Sequence, residues 1–293
     1  MTNTFLNICT SNCAGLRDKN KLHSILRLIE EKKVDIALLQ ETHLVKNDRN
    51  YIEKIWKGTV HLSGSSTNSK GLITLFSKSL APESIEILHT DDRTIVSACK
   101  LDKEIKTIIT NVYAPNNNRD KNQYFIHLIN ILKDILRNRN EYSLLCAGDY
   151  NTVKDNEIDI ISGLQHCNDT VKNFNTFINE LMLNDAWRCC NRNERMHSWR
   201  RGNIARRLDY ILIDDILNTN LESSKIEPIG FSDHLLVSIK LKLSNFKYGK
   251  SYYKMNTSIL LNKDYVKIMK KEIPNINRLT RYLSFNYFEN YEK

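Results

Sequence analysis

Six short polar motifs fall along this chain where apolar runs end or begin. Asn12 closes the first strand-like run, and Gln40-Glu41 closes the second long one. Asn111-Val-Tyr-Ala-Pro-Asn116 ends another, and Gly148-Asp-Tyr-Asn151 ends the next. Leu208-Asp-Tyr210 lies on a predicted hairpin arm, and Ser232-Asp-His234 opens the last strand. Carboxylates, carboxamides, a phenol and an imidazole are the groups that hold a hard cation, activate water and donate to developing negative charge. Strand ends and the loops beside them are where a rigid scaffold can arrange such groups around a cleft. Singly, each motif has a plainer reading. Glu41 could be a helix-capping or surface acid, and Gly148-Asp-Tyr-Asn151 an ordinary turn. Tyr113 could be a core aromatic with its hydroxyl at the rim. Asp209 could pair with a neighbouring arginine, and Ser232-Asp-His234 could be a strand-entry turn. Their joint occurrence is what points to a built site.

The elements that would position these residues are read from periodicity. Leu22, Ile25, Leu26, Leu28 and Ile29 recur at helical spacing, and Val34 to Leu39 reads as a buried strand. Leu72–Phe76, Ile95–Leu101 and Ile105–Val112 read as further strands. Tyr124, Phe125, Leu128, Ile131, Leu132, Ile135 and Leu136 predict a long amphipathic helix, followed by the strand Ser143–Ala147. Phe174, Phe177, Ile178 and Leu181 mark another helix. Ser198–Arg201 and Arg207–Ile213 are predicted as two arms of a hairpin around Gly202-Asn203, and Leu236–Leu243 alternates as a closing strand. This mixed order, with adjacent strands, fits an α/β sandwich better than a doubly wound sheet. No internal repeat of roughly 20–50 residues is found.

Composition sets the outer limits. The chain has 293 residues, 41% of them hydrophobic, enough for one large domain with an extension. No apolar run approaches the ~18 residues of a membrane span, and the N-terminus has no signal-peptide pattern. A nuclear address, with the cytoplasm during synthesis, is therefore expected rather than secretion. The seven cysteines contain no CxxC pair and read as free thiols. Net charge is +9, concentrated in residues 245–293, which hold ten Lys/Arg against four Asp/Glu. Ten of the 25 aromatics crowd into the last 48 residues, so a domain over 1–244 and a basic, aromatic-rich extension over 245–293 are expected. A basic balance suits a polyanionic partner.

Asn12-Cys-Ala-Gly-Leu-Arg17, Leu39-Gln-Glu41, Tyr113-Ala-Pro-Asn116, Gly148-Asp-Tyr-Asn151, Arg207-Leu-Asp-Tyr210 and Ser232-Asp-His234 together resemble the exonuclease–endonuclease–phosphatase family. Gly148-Asp-Tyr-Asn-Thr-Val153, with Asp159 and Ser162-Gly163, narrows the resemblance to the endonuclease domain of LINE-type non-LTR retrotransposons. The tail Tyr252-Tyr-Lys-Met-Asn-Thr-Ser-Ile-Leu-Leu261 with Tyr265 resembles the linker to reverse transcriptase in those polyproteins. The resemblance implies a DNase I-like, four-layered α/β sandwich: two mixed sheets packed together with helices on their outer faces. It also implies a DNA endonuclease acting on double-stranded DNA, with a reverse transcriptase domain in a longer parent polyprotein.

Hydrolysing a phosphodiester needs a cation against the phosphoryl oxygens, an activated water, and donors for the transition state. The resemblance makes Glu41 the principal Mg²⁺ ligand, with Mn²⁺ the alternative ion, and puts Asn12 and Asp233 near the metal. Few carboxylates and several waters are what Mg²⁺ prefers. By the same resemblance Asp149 orients or deprotonates the water and is held by Asn151. His234 contacts the scissile phosphate with Asp209 fixing its tautomer, and Tyr113 and Asn116 add phosphate contacts. Related repair enzymes carry an acid where this chain has Ala14, which leaves Glu41 as the one secure metal acid and leans toward the retrotransposon branch. Arg200, Arg201, Arg206 and Arg207, with Ser198, are expected to contact DNA, reading shape more than base edges. Neither a membrane nor a small-molecule cofactor is expected. An abasic-site repair nuclease, a phosphoinositide phosphatase and a non-catalytic, domesticated binding remnant are the alternatives. The tail and Ala14 speak against the first, the Arg-rich hairpin and the tail against the second, and the intact motif set against the third.

Overall fold

The computed structural model describes residues 5–65, 70–80, 84–101 and 105–242, so the extension expected over 245–293 lies outside the described residues. In chain order the elements begin β1 (Phe5–Asn12), α1 (Lys19–Glu31), β2 (Ile36–Gln40), α2 (Arg49–Ile55), β3 (Thr59–Ser63), β4 (Leu72–Phe76), β5 (Ile85–Thr90) and β6 (Thr94–Lys100). They continue β7 (Lys106–Tyr113), α3 (Asn118–Asn138), β8 (Ser143–Asp149), β9 (Ile160–Ser162), α4 (Asn168–Glu180), β10 (Asn184–Asp185) and α5 (Ala186–Cys190). The last are β11 (Trp199–Arg201), β12 (Ile204–Arg206), β13 (Asp209–Ile213), α6 (Asp215–Asn218), β14 (Leu221–Glu227) and β15 (Leu236–Lys242). Among the described residues no helix is long and apolar enough to cross a membrane.

Strands in the order β14-β15-β1-β2-β4-β3 make one sheet, and β10-β13-β8-β7-β6-β5 make a second. Side chains alternate faces along a strand, and that alternation sorts the core. Leu6, Ile8, Ile36 and Leu38 of the first sheet pack with Ile109, Leu145 and Ile211 of the second. The intervening Cys9, Ala37 and Leu39 turn outward onto Leu22, Ile25, Leu26 and Ile29 of α1. That helix starts at Asp18, whose carboxylate accepts from the Asn20 and Lys21 amides. On the second sheet, Ile108, Leu144 and Cys146 turn outward onto Phe125, Leu128 and Leu132 of α3 and Phe174 and Phe177 of α4. The result is the α/β sandwich the sequence predicts.

Topology then brings the polar motifs to one end. Parallel β1 and β2 finish together, Asn12 opposite Gln40, and antiparallel β15 begins beside them. Parallel β7 and β8 finish with Tyr113 opposite Asp149, and β13 starts with Asp209 opposite Asp149. A buried polar clamp joins the sheets behind this end. Gln40 Nε2 donates to Asn111 Oδ1 at 2.8 Å, and Asn111 Nδ2 donates to the Ile73 carbonyl at 3.0 Å. Gly148, just before Asp149, has φ +153°, and a Cβ there would lie 1.9 Å from the Val112 carbonyl oxygen.

One expectation about the elements fails. The hairpin around Gly202-Asn203 pairs Trp199 with Arg206 and Arg201 with Ile204, so its second arm is β12. Arg207–Ile213 is not that arm. The chain leaves the small sheet at Arg207 because this side chain is drawn inward, and β13 runs between β8 and β10 of the second main sheet. With β9, the hairpin makes a separate three-stranded sheet.

Candidate active site

Asn12 is the junction of the site. Its Nδ2 donates to Glu41 Oε2 at 2.8 Å and to Asp149 Oδ2 at 2.9 Å, while its Oδ1 accepts from the Ala14 amide at 2.9 Å. One carboxamide thus ties an acid of the first sheet to an acid of the second. Ala14, Glu41 and Asn151 have φ of 46°, 51° and 50°, a left-handed backbone that costs side-chain-bearing residues about 1–3 kcal/mol each. Local bonds hold these turns. Gly15 N donates to the Glu41 carbonyl at 2.7 Å, Asn151 N to Asp149 Oδ1 at 2.9 Å, and Asn151 Nδ2 to the Ala114 carbonyl at 2.8 Å. The Asp149–Asn151 bond is an Asx turn, which is why Asp-x-Asn suits the end of β8.

A second line runs through His234. Its Nδ1 donates to Asp209 Oδ2 at 2.8 Å, and its Nε2 lies 3.9 Å from Asp149 Oδ2. Burial opposes charge on His234, but the carboxylates of Asp209 and Asp149 outweigh it and push the imidazole up to about 9. Burial pushes Asp149 up to about 6, against the pull of His234. Between those values a charged imidazolium faces a carboxylate. Tyr113 is buried under the Arg93 guanidinium, 5.2 Å from its ring centroid. Burial and the nearby Glu41 and Asp149 charges raise its phenol, which stays a neutral donor.

The cleft these groups line has a volume of about 820 Å³, and Asn116, Arg201, Arg206 and Asp233 also border it. Asn116 is exposed, as is Asp233, whose Oδ2 accepts from Trp199 Nε1 at 2.9 Å. Arg200 and Arg201 are exposed on the hairpin, and Arg206 is half-buried at the cleft wall. Two expected DNA contacts are misplaced. Arg207 is 1% exposed and bonds Asp185 through both terminal nitrogens (3.0 and 2.6 Å) and Asp159 through Nε (2.9 Å). Two buried carboxylates claim its charge, so it is a core cation and not a phosphate contact. Ser198 is also buried. It donates to Asp209 Oδ2 at 2.6 Å and accepts from the Leu208 and Asp209 amides, so it orients Asp209 and cannot reach a phosphate.

The sequence reading also passed over Lys121, which is 2% exposed and donates Nζ to the Asn151 carbonyl. The signal was there. Lys121 precedes Tyr124, Phe125 and Leu128 by three, four and seven residues, placing it on the apolar face of α3.

The donor set fits a hard cation at Glu41. Its side chain is 33% exposed, and Oε1 lies 3.8 Å from His43 Nε2, so the carboxylate borders the cleft beside Asn12 and Asp233. Asp149, Asp209 and His234 also place ligand-type atoms within 4.8 Å of one another. That trio suits a cation less well, since a doubly protonated imidazole has no lone pair to offer and Asp209 Oδ2 already accepts from Ser198 and His234.

Residues 6–234 match the Endonuclease/Exonuclease/phosphatase family. The transposon TX1 uncharacterized 149 kDa protein of Xenopus laevis is 24% identical over 269 residues, 90% of this chain but 20% of that protein. The chain therefore spans a fifth of that relative's length. Among solved structures, an AP endonuclease from Leishmania major superposes with a TM-score of 0.68 at 16% identity, over 82% of this chain and 88% of that one. An AP endonuclease from Archaeoglobus fulgidus gives 0.66 at 22% identity, over 80% and 98%. A Neisseria 3′ phosphatase bound to a product DNA hairpin gives 0.67 at 18% identity, over 80% and 99%. These structures share the sandwich, and nucleases of the matched family generally depend on a divalent metal. The match begins before Asn12 and runs through His234, taking in all six polar motifs: the chain belongs to the Endonuclease/Exonuclease/phosphatase family.

Proposed function

We propose that this domain is a Mg²⁺-dependent endonuclease that nicks one strand of double-stranded DNA by phosphodiester hydrolysis, leaving a 3′-hydroxyl. The observation that carries this reading is the buried line Asp209–His234–Asp149, joined through Asn12 to the open carboxylate of Glu41. In this reading Asp149 takes a proton from the attacking water, with its second oxygen pinned by the Asn151 amide. The His234 imidazolium, held by Asp209, presents Nε2–H to a phosphoryl oxygen and stabilises its charge as the water oxygen bonds to phosphorus and the P–O3′ bond breaks, the departing 3′-oxygen taking up a proton from solvent. Hydrolysis in this polarity places the phosphate on the 5′ side and the hydroxyl on the 3′ side. Glu41, with Asn12 and Asp233, would hold Mg²⁺, which supplies positive charge against the phosphoryl oxygens. Tyr113 and Asn116 donate to the same phosphate, and the exposed Arg200 and Arg201 grip flanking backbone.

Similarity to the transposon protein supports a further role, priming reverse transcription from the nick within a longer polyprotein in which residues 245–293 form the connector. The test is nicking of a supercoiled plasmid with Mg²⁺. Wild type converts it to open circles that a DNA polymerase extends without prior end repair, and EDTA stops the reaction. Asp149→Ala and His234→Ala lower the rate by roughly 10²–10⁴-fold, as loss of a general base or of a preorganised transition-state donor does. A folded wild type that does not nick defeats the reading. The fold also matches AP endonucleases, so strong preference for an abasic duplex over intact DNA would favour a repair nuclease instead.

A further inference from the structure

Two cations on one wall of the cleft lack a carboxylate within ion-pair distance among the described residues. Lys121 is buried on α3, and its Nζ has the Asn151 carbonyl as its hydrogen-bond acceptor. Arg206, at the end of β12, donates Nη2 to the Leu164 carbonyl at 2.6 Å and Nη1 to His166 Nε2 at 3.2 Å, while its buried Nε has no partner. Every acceptor these groups have is neutral. To accept from Arg206, His166 must be uncharged at Nε2, and burial together with Arg206 and Lys121 pulls it down to about 4. Burial pulls Lys121 down to about 8 against the upward push of the Asp149 carboxylate, and Arg206 acts in the same direction as burial. Asn118, the first residue of α3, and Cys167, which precedes α4, line the same cleft. The positive ends of two helices thus add to the wall.

Buried charges in proteins are ordinarily paired. Here Asp149 acts on Lys121 only from beyond ion-pair distance, every hydrogen-bond acceptor of the two cations is neutral, and the space they face is open cleft. The Lys121 ammonium also bonds the carbonyl of Asn151, whose amide pins Asp149, so the wall adjoins the scissile position without occupying it.

We infer that Lys121 and Arg206, with neutral His166 bracing the guanidinium, form a second phosphate subsite that binds the backbone phosphate neighbouring the one under attack. Lys121 supplies a point charge and Arg206 a fork for a diester monoanion. The ligand's identity as DNA rests on the nuclease reading. Filling this subsite sets the register of the strand against Asp149.

The test is binding of a fluorescein-labelled DNA duplex, followed by anisotropy in EDTA over a range of KCl, so that no metal or turnover enters. Each phosphate contact contributes about 0.9 to the slope of log K against log salt. Lys121→Met and Arg206→Gln each lower the slope by about that much, and the double variant by about twice as much. Lys121→Arg keeps the wild-type slope, and in nicking assays Arg206→Gln raises KM more than it lowers kcat. Unchanged slopes in folded Lys121→Met and Arg206→Gln proteins overturn the subsite. A fall in kcat alone with the slope intact does so too, since it shows Lys121 only positioning Asn151. Should Lys121→Met fail to fold, Arg206→Gln decides by itself, and an unchanged slope there is again fatal. The two readings fail separately. Wild type that nicks while the variants keep their slope retains the nuclease and loses the subsite. Wild type that binds without nicking, with variants of reduced slope, does the reverse.

Discussion

His234 is held as a cation by its surroundings, because the carboxylates of Asp209, Asp149 and Asp233 all face it. The rate of nicking should therefore follow a bell. It rises as Asp149 ionises near pH 6 and falls as His234 loses its proton near pH 9. Asp209→Asn removes the leading source of the upward push, so the alkaline limb moves to lower pH in a kcat/KM profile; a limb that stays in place would refute the assignment. The same pair has a stability sign. His234 sits above its ordinary 6.5, so its contribution is fully present below pH 6.5 and lost as pH rises through about 9. Melting temperatures of wild type should fall across that window, and more weakly in Asp209→Asn. Arg207 belongs to the same scale. Arg207→Met leaves Asp185 and part of the Asp159 charge buried without their partner, a loss of about 3–5 kcal/mol by urea unfolding. Unchanged stability with weaker DNA binding would return Arg207 to the DNA interface. Neither its burial nor that of Ser198 could be read from a run of arginines. The decisive partners, Asp159, Asp185 and Asp209, lie 48, 22 and 11 residues away from the side chains they engage.

Elements with a strong period were legible, and those decided by tertiary contacts were not. β1, β2, β7 and β8 are runs buried on both faces and α1, α3 and α4 each bury one helical face, and the sequence shows each of them. β14 did not stand out because Leu-Glu-Ser-Ser-Lys-Ile-Glu at the edge of a sheet is mostly polar. The boundary between β12 and β13 was hidden because β-like residues continue through Arg207, and only the inward pull on that side chain ends the hairpin. At the end of β8, spacing alone said "turn", whereas packing demands a glycine. Gly148→Ala drives a methyl group into the Val112 carbonyl and forces φ +153° on a residue with a Cβ. A loss of at least about 1–3 kcal/mol is expected. The damage should reach Tyr113 and Asp149, which pair across the same ladder. Thermal melts and nicking rates should fall together; a stable protein with full activity would show that β7 and β8 can separate there at little cost.

At the scale of the whole molecule, each sheet contributes half of the chemistry. Asn12, Glu41 and His234 come from the first sheet or its connections, Tyr113, Asp149 and Asp209 from the second, and the Gln40–Asn111 clamp fixes one against the other. Gln40→Leu leaves Asn111 Oδ1 buried without its donor, a cost of about 1–3 kcal/mol. It should lower kcat more than duplex affinity, because it loosens the alignment of the two halves and leaves the exposed arginines alone. Equal losses in kcat and affinity would mean that the clamp shapes the binding surface as well. Six motifs in order carried the family resemblance that implied this arrangement, and in the structure they meet because the strand ends that bear them come together when the sheets stack. Arg206 of the cleft wall was expected to meet DNA, but Lys121 was not, because a lysine on an apolar helix face gives no hint of what it looks out upon.

The pairing of β1 with β15 has a mechanical consequence. Phe5 stands across from Lys242, while Asn12 and His234 lie at the other end of the same two strands. Eight residues of strand at ~3.3 Å each separate the two ends by roughly 25 Å. The domain is built like a knife, with handle and blade at opposite ends. A polypeptide grafted onto the handle would begin well clear of Asn12 and His234.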